Sequence, residues 1–313
     1  MINEIISNIK NVWGEFGFTS PFPENMKVLL QSRNRIILFF IDPEIGNFPQ
    51  VIVKLNRPDN EKSWHEDYVM HSQKIREMLD GAMKDTIPRM EAFQLQDSIT
   101  GVIVKGIPGY PINVITKIKE NEYHKFANWL VEFQSYCSVN QLEISPGFIE
   151  NQLERITSEY HFRNETVIKI REVFYPLIGI QTSIGWLVGD THPSNILINK
   201  GAVGGVVDWE GVSENNLSIY DWYQFIFSVV IENVKATSRS LTHAEMMRMG
   251  SDLLFSNPKT KLAKILNRQT DNYLISKGLN PELKFNWFIL FLVDYYWIKN
   301  KQEFLHDLLP GIL

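Results

Sequence analysis

The sequence carries one cysteine, Cys137, in 313 residues, so no internal disulfide can form. That scarcity fits a reducing compartment such as the cytoplasm. In "FANWLVEFQSYC" the thiol recurs with Phe126, Leu130 and Phe133 at helical spacing, which reads as a buried small hydrophobe rather than a nucleophile. Long apolar runs are also missing. The most apolar stretch, "WFILFLV" at 287–293, stops at Asp294, far short of the roughly 20 residues a membrane span needs. It reads as a core helix, and no membrane partner is expected. The opening "MINEIISNIKNVW" mixes acid, amide and lysine with its apolar residues and does not read as a secretory signal. Positive charge is not in excess. There are 31 Lys and Arg against 36 Asp and Glu, a net charge of −5, which disfavours a nucleic-acid partner. The seven histidines are scattered, and none shares a zinc-like spacing with a second His or Cys. No internal repeat or low-complexity tract appears.

What is present has the texture of a soluble globular chain, with 44% apolar and 21% charged residues. Its length suits one or two lobes. Residues 1–16 read as a short amphipathic helix. Strand-like runs follow, "MKVLLQS", "RIILFFID" and "QVIVKL", punctuated by Pro43, Gly46 and Pro49. Residues 60–79 read as a helix with Tyr68, Ile75 and Leu79 on one face. Two more strands are expected at "MEAFQLQ" and "ITGVIVKG". After "IPGYP" at 107–111 helical patterns dominate, over 116–138, 148–175 and most of 217–313. The exception is 184–209, a set of short β pieces separated by glycines. Thr242 with Glu245 three residues later predicts a helix start. The expected layout is α+β: a small antiparallel-sheet lobe over 1–105, a hinge near 105–111, and a larger mainly helical lobe over 106–313.

The chemistry concentrates in "GDTHPSNILI", residues 189–198. Asp190 and Asn195 stand five positions apart on one loop, and Asp208 follows at the end of the apolar run in "GGVVDWEG". An acid at the tip of an apolar strand is costly without a partner. A divalent cation is an economical one. Mg²⁺ takes hard oxygen ligands and commonly uses one or two carboxylates together with substrate phosphates. Asn195 offers an amide oxygen and Asp208 a carboxylate, with Asp190 spaced to sit nearby. Taken singly, Asp190 and Asn195 would equally suit turn capping. Their conjunction with Asp208 in order favours the metal reading.

"GDTHPSNIL" and "VVDWEG" resemble the catalytic loop and metal-binding strand of the protein-kinase-like fold, and within it the aminoglycoside phosphotransferase family. The resemblance implies a bilobal α+β fold using ATP or GTP and Mg²⁺. It implies that Asp190 accepts or orients the acceptor hydroxyl, and that Asn195 and Asp208 hold the metal. His192 and Pro193 would shape the loop, and Asp221 in "SIYDWYQF" would brace it. Upstream, it implies that Lys54, at the end of "VIVKL", reaches the nucleotide phosphates. Glu66, in preference to Glu61, would hold that lysine, and the backbone around Val104, Lys105 and Ile107 would meet the base. Two departures stand out. Val188 replaces the family's first His, and "QSRNRI" lacks the glycines of a phosphate-covering loop, leaving Ser32 and Asn34 as side-chain donors there.

The expected activity is transfer of a γ-phosphoryl group to a hydroxyl of a small molecule by a cytoplasmic monomer or homodimer. The alternative is a non-catalytic kinase-like module that holds a nucleotide or a partner. From 232 to 313 there are 11 Lys or Arg and 8 Asp or Glu, which disfavours a strongly cationic substrate. A sugar, an amino alcohol, an antibiotic or another hydroxylated metabolite fits at least as well. The short interval between Asp208 and Asp221 leaves little room for the activation segment of a protein kinase.

Overall fold

The computed structural model describes every residue except 24, 33–35, 47, 56–63, 96–99, 116–117, 159–161, 238–241, 243–244, 246–247, 251–253, 256–259, 299–308 and 310–312. At 31–32, 64–66 and 295–298 it describes the backbone alone. The chain forms two compact units. Met1–Pro111 with Asn195–Val212 makes the first, and Ile112–Ser194 with Ser213–Leu313 the second.

The first unit is built on an antiparallel sheet of five strands: β1 (Lys27–Ser32), β2 (Ile36–Ile41), β3 (Val51–Leu55), β4 (Met90–Gln94) and β5 (Thr100–Lys105). Their order is β1-β2-β3-β5-β4. Strand alternation sorts the residues of β3 between two faces. Val51, Val53 and Leu55 are buried in a cluster with Leu38, Phe40 and Ile103. Helix α1 (Ile2–Val12) and the turn after it close that cluster with Ile5, Ile9, Val12, Trp13 and Phe16. Lys54 therefore points to the opposite face. Ile9→Ala removes a fully buried side chain from this cluster. It is expected to cost about 2–4 kcal/mol, read as a lowered Tm.

Helix α2 (Trp64–Met78) packs against β4 and β5, followed by the short helix α3 (Gly81–Asp85). Tyr68, Ile75 and Leu79 are buried, as the helical spacing predicts. Arg76 donates to the carbonyls of Lys84 (2.8 Å) and Ile87, which ties α2 to the segment leading into β4. A second small sheet joins β6 (Tyr110–Pro111) to the hairpin of β9 (Ile196–Asn199) and β10 (Ala202–Val206), in the order β10-β9-β6.

The second unit is mainly helical. It contains α4 (Glu120–Cys137), α5 (Pro146–Ser158), α6 (Asn164–Phe174), α7 (Tyr220–Thr237), α8 (Lys261–Ser276) and α9 (Lys284–Ile298). A three-stranded sheet, β11-β8-β7, joins β7 (Ser138–Glu143), β8 (Gln181–Leu187) and β11 (Ser213–Leu217). The helical pattern over 148–175 is divided between two helices, α5 and α6. The polar strands β7 and β11 were not visible as sequence patterns. Both flank β8, whose pairing supplies their order. Trp287–Val293 is buried in α9, as expected of a core helix. Asp294 at its end is bonded by the Tyr220 hydroxyl. Burial pushes that carboxyl up to about 6, against the opposing pull of Tyr220, Arg155 and Gln152. Tyr273 donates to Gln134 at 2.8 Å and stacks on Trp222 at 5.0 Å, so a polar pair is satisfied inside the aromatic core.

Cys137 is buried at the end of α4, and burial, with the charge of Asp221 adding, pushes its thiol up to about 12. That state is inert, as the helical spacing suggested. The box at Thr242 is formed: the Thr242 N–H donates to Glu245 Oε2 at 2.8 Å, and the Glu245 N–H to Thr242 Oγ1 at 3.3 Å. Among the described residues, no helix is long and apolar enough to cross a membrane.

Candidate active site

The hairpin of β9 and β10 places the two metal-ligand candidates. Ile196 pairs with Val206, and one step further the Val207 N–H donates to the Asn195 carbonyl at 2.8 Å. Asn195 and Asp208 therefore flank the open end of the same hairpin. Asp208 adopts a left-handed backbone, φ 65° and ψ 60°. Aspartate tolerates that region better than most residues, but at a cost of about 1 kcal/mol. A strained acid at a strand end marks a position where the side chain's direction matters. The next residue, Trp209, is fully buried, and its Nε1 donates to the Val206 carbonyl at 2.7 Å. This pins the short 3₁₀ turn Trp209–Gly211 and with it both acids, Asp208 and Glu210.

Lys54 meets these acids from β3. Its Nζ lies 2.8 Å from Asp208 Oδ1 and 3.0 Å from Glu210 Oε1. It also stands 5.2 Å from the centre of the Tyr68 ring on α2, a cation–π distance. Burial works against the ammonium charge. The neighbouring Tyr68 oxygen, Asp208 and Glu210 outweigh it, and the Lys54 pKa lies above its usual value. Burial pushes the Tyr68 phenol up to about 12, with Lys54 pulling the other way. At neutral pH the centre is a charged lysine with two acidic partners beside a neutral ring.

The sequence marks Lys54 and Asp208 separately, and the fold brings them together. Glu210 is a partner of Lys54 that the motifs do not mark. The signal was faint: one more acid two places after Asp208. Glu66 lies on the first turn of α2, but its side chain is outside the described residues, as is the whole of Glu61. In the glycine-free turn, Asn34 and the side chain of Ser32 also lie outside them.

The hinge candidates follow β3's neighbour. Val104 pairs with Ile52 and Met90 inside the sheet. The Lys105 N–H is taken by the Arg89 carbonyl at 2.8 Å and the Gly106 N–H by the Gln50 carbonyl at 2.7 Å. A Cβ on Gly106 would stand 1.7 Å from the Pro49 oxygen, so only glycine fits there. Ile107 packs on Gly205, where a Cβ would come within 2.5 Å of Ile107 Cδ1. No hydrogen bond among the described residues uses the Ile107 backbone.

In the second unit, Asp190 is half-buried on the loop after β8. That loop is fastened to α7. Asp221 accepts from the Val188 N–H at 2.9 Å and the Gly189 N–H at 3.0 Å, while Thr191 Oγ1 donates to the Asp221 carbonyl at 2.7 Å. Gln224, one turn on, donates to the Gly189 carbonyl at 3.1 Å. Gly189 takes a left-handed φ of 74° to turn the chain. His192 Nδ1 accepts from the Ser194 N–H at 3.2 Å, which shapes the loop's far side. Val188, in place of a histidine, is fully buried and contributes its N–H to Asp221.

Asp221 is fully buried, and burial pushes its carboxyl up to about 7 although two backbone N–H groups favour the charged form. Between about pH 4 and pH 7 the folded chain then holds a proton that the unfolded chain has released. Stability from this group is therefore complete below about pH 4 and lost as pH rises through 7. Asp221→Asn removes the titration. The stability of wild type relative to this variant is expected to fall between pH 5 and pH 7.5, as parallel thermal melts would show.

Among the described residues, no group of three or more His, Cys, Asp or Glu is placed to hold a metal ion. Asn195 and Asp208 still fit Mg²⁺, which commonly takes few protein oxygens and completes its shell with water and phosphate.

No protein-family model matches the chain, and a search of curated proteins gives no match. Solved structures do match. One is a thermostable mutant of aminoglycoside phosphotransferase APH(4)-Ia in a ternary complex with ADP and hygromycin B, at 11% identity, TM-score 0.51, over 97% of this chain and 98% of that one. Another is a ternary complex of the same enzyme with AMP-PNP and hygromycin B, at 11% identity and TM-score 0.52, with the same coverage. The likeness fixes the fold as α+β and protein-kinase-like, with an antiparallel-sheet lobe and a mainly helical one, as expected from the motifs.

Proposed function

We propose that this chain is an ATP- or GTP-dependent phosphotransferase that moves the γ-phosphoryl group to a hydroxyl of a small molecule. The observation that carries the reading is the clasp of Lys54 by a left-handed Asp208 at the hairpin end it shares with Asn195. A buried lysine with a persistent positive charge suits polyphosphate binding. The fold shared with a phosphotransferase that takes ADP and AMP-PNP lends support.

In this proposal Lys54 binds the α and β phosphates, and the Ile107 backbone meets the base. Asn195 and Asp208 would hold Mg²⁺, which when bound offsets phosphate charge. Asp190 orients the acceptor hydroxyl and takes its proton as the phosphoryl group leaves the nucleotide. The bonds from Asp221 and Gln224 fix the loop backbone that carries Asp190, so positioning supplies much of the rate gain. The excess of basic residues after 232 favours a sugar, an amino alcohol or a neutral hydroxylated natural product over a polycation. Calorimetric titration with ATP tests the nucleotide part. Binding in Mg²⁺, weakened at least about tenfold by a chelator, is the expected result. Absence of binding under both conditions would refute it.

A further inference from the structure

We infer that Glu210 is the positioning carboxylate of Lys54, the group that keeps the ammonium in place while Asp208 serves a divalent cation. The inference rests on the phosphotransfer reading and deepens it by assigning a residue that reading leaves without a role.

Lys54 has three N–H donors, and two of them reach different acids, Asp208 Oδ1 at 2.8 Å and Glu210 Oε1 at 3.0 Å. These partners are not equivalent. Asp208 shares the hairpin end with Asn195 and is the more exposed, at 38% against 21% for Glu210. Its carboxylate is the one a cation would draw on. An ammonium and a cation cannot share the same oxygen at full strength, because like charges repel most where water is scarce. Lys54 would lose its shorter contact when Asp208 is engaged. Glu210 offers an anchor that does not depend on that exchange. Its turn is pinned by the buried Trp209 and its bond to Val206, so its backbone position is set by the fold. The Tyr68 ring backs Lys54 from α2 and limits where the ammonium can move. One turn supplies both acids, two residues apart.

The test uses Glu210→Gln, close in shape and without charge, and Glu210→Asp, which keeps the charge on a shorter stem. ATP binding is measured by calorimetry with Mg²⁺ and with a chelator, alongside kcat, acceptor KM, Mg²⁺ dependence and Tm. For Glu210→Gln, metal-free ATP affinity should stay within about twofold of wild type, because Asp208 still holds Lys54. Affinity for ATP in Mg²⁺ and kcat should each fall about tenfold, the loss of one charged hydrogen bond. Acceptor KM and half-saturating Mg²⁺ should not move, and Glu210→Asp should recover part of the loss. Three outcomes would overturn the assignment: no change in either condition, equal losses with and without Mg²⁺ together with a lower Tm, or a raised Mg²⁺ requirement, which would make Glu210 a metal ligand. A wild-type protein that binds no ATP in Mg²⁺ would instead sink the phosphotransfer reading and this inference with it.

Discussion

Asp190→Ala should lower kcat by about 10³-fold or more while leaving the dissociation constant for ATP in Mg²⁺ within about twofold of wild type. The two halves of this expectation have separate physical grounds. Asp190 carries the carboxylate assigned to the acceptor hydroxyl, so its loss acts on the transition state. The nucleotide groups are assigned to Lys54, Asn195, Asp208 and Ile107, none of which the substitution removes. The loop backbone is held by Asp221 and Gln224, and the substitution leaves both in place. Steady-state kinetics and calorimetry on one preparation check both halves. Turnover that persists in Asp190→Ala would remove the base role. A wild-type protein that binds ATP and transfers nothing to any acceptor would favour a binding module.

The second large effect is expected at Asp208. Asparagine is the informative replacement, because it also tolerates the left-handed backbone at φ 65° and keeps the side chain's shape. Asp208→Asn should weaken ATP binding in Mg²⁺ by about 30-fold or more, about 2 kcal/mol, down to the metal-free level of wild type. Lys54 retains Glu210 at 3.0 Å, so Tm should change little. Unchanged Mg²⁺ dependence in this variant would contradict the metal role and leave Asp208 as a partner of Lys54 only.

The parts of this account legible in the sequence were those coded locally. The apolar run "VIVKL" marked a strand with Lys54 near its end, helical spacing placed Tyr68, Ile75 and Leu79 on one face, and Thr242 with Glu245 announced their cap. The run from Asp190 to Asp208 was legible because its groups lie within one loop and one hairpin. What escaped was set by pairing across distance. Glu210 finds Lys54 across 156 positions, and nothing in "DWEG" distinguishes that acid from a solvated one. Strands β7 and β11 are polar and weakly alternating, and they exist because β8 offers two edges to pair with. The Asp221 brace was expected only from the family resemblance. An acid in "SIYDWYQF" otherwise looks like an interruption in an aromatic helix.

Transfer of labelled γ-phosphate decides whether the chain is a phosphotransferase. The purified chain, incubated with γ-labelled ATP, Mg²⁺ and a panel of sugars, amino alcohols and hydroxylated antibiotics, should place the label on the hydroxyl of at least one compound, and Asp190→Ala should not. Label that stays on ATP or appears only as inorganic phosphate across the whole panel, from protein shown to bind ATP in Mg²⁺, would contradict phosphotransfer to a small molecule.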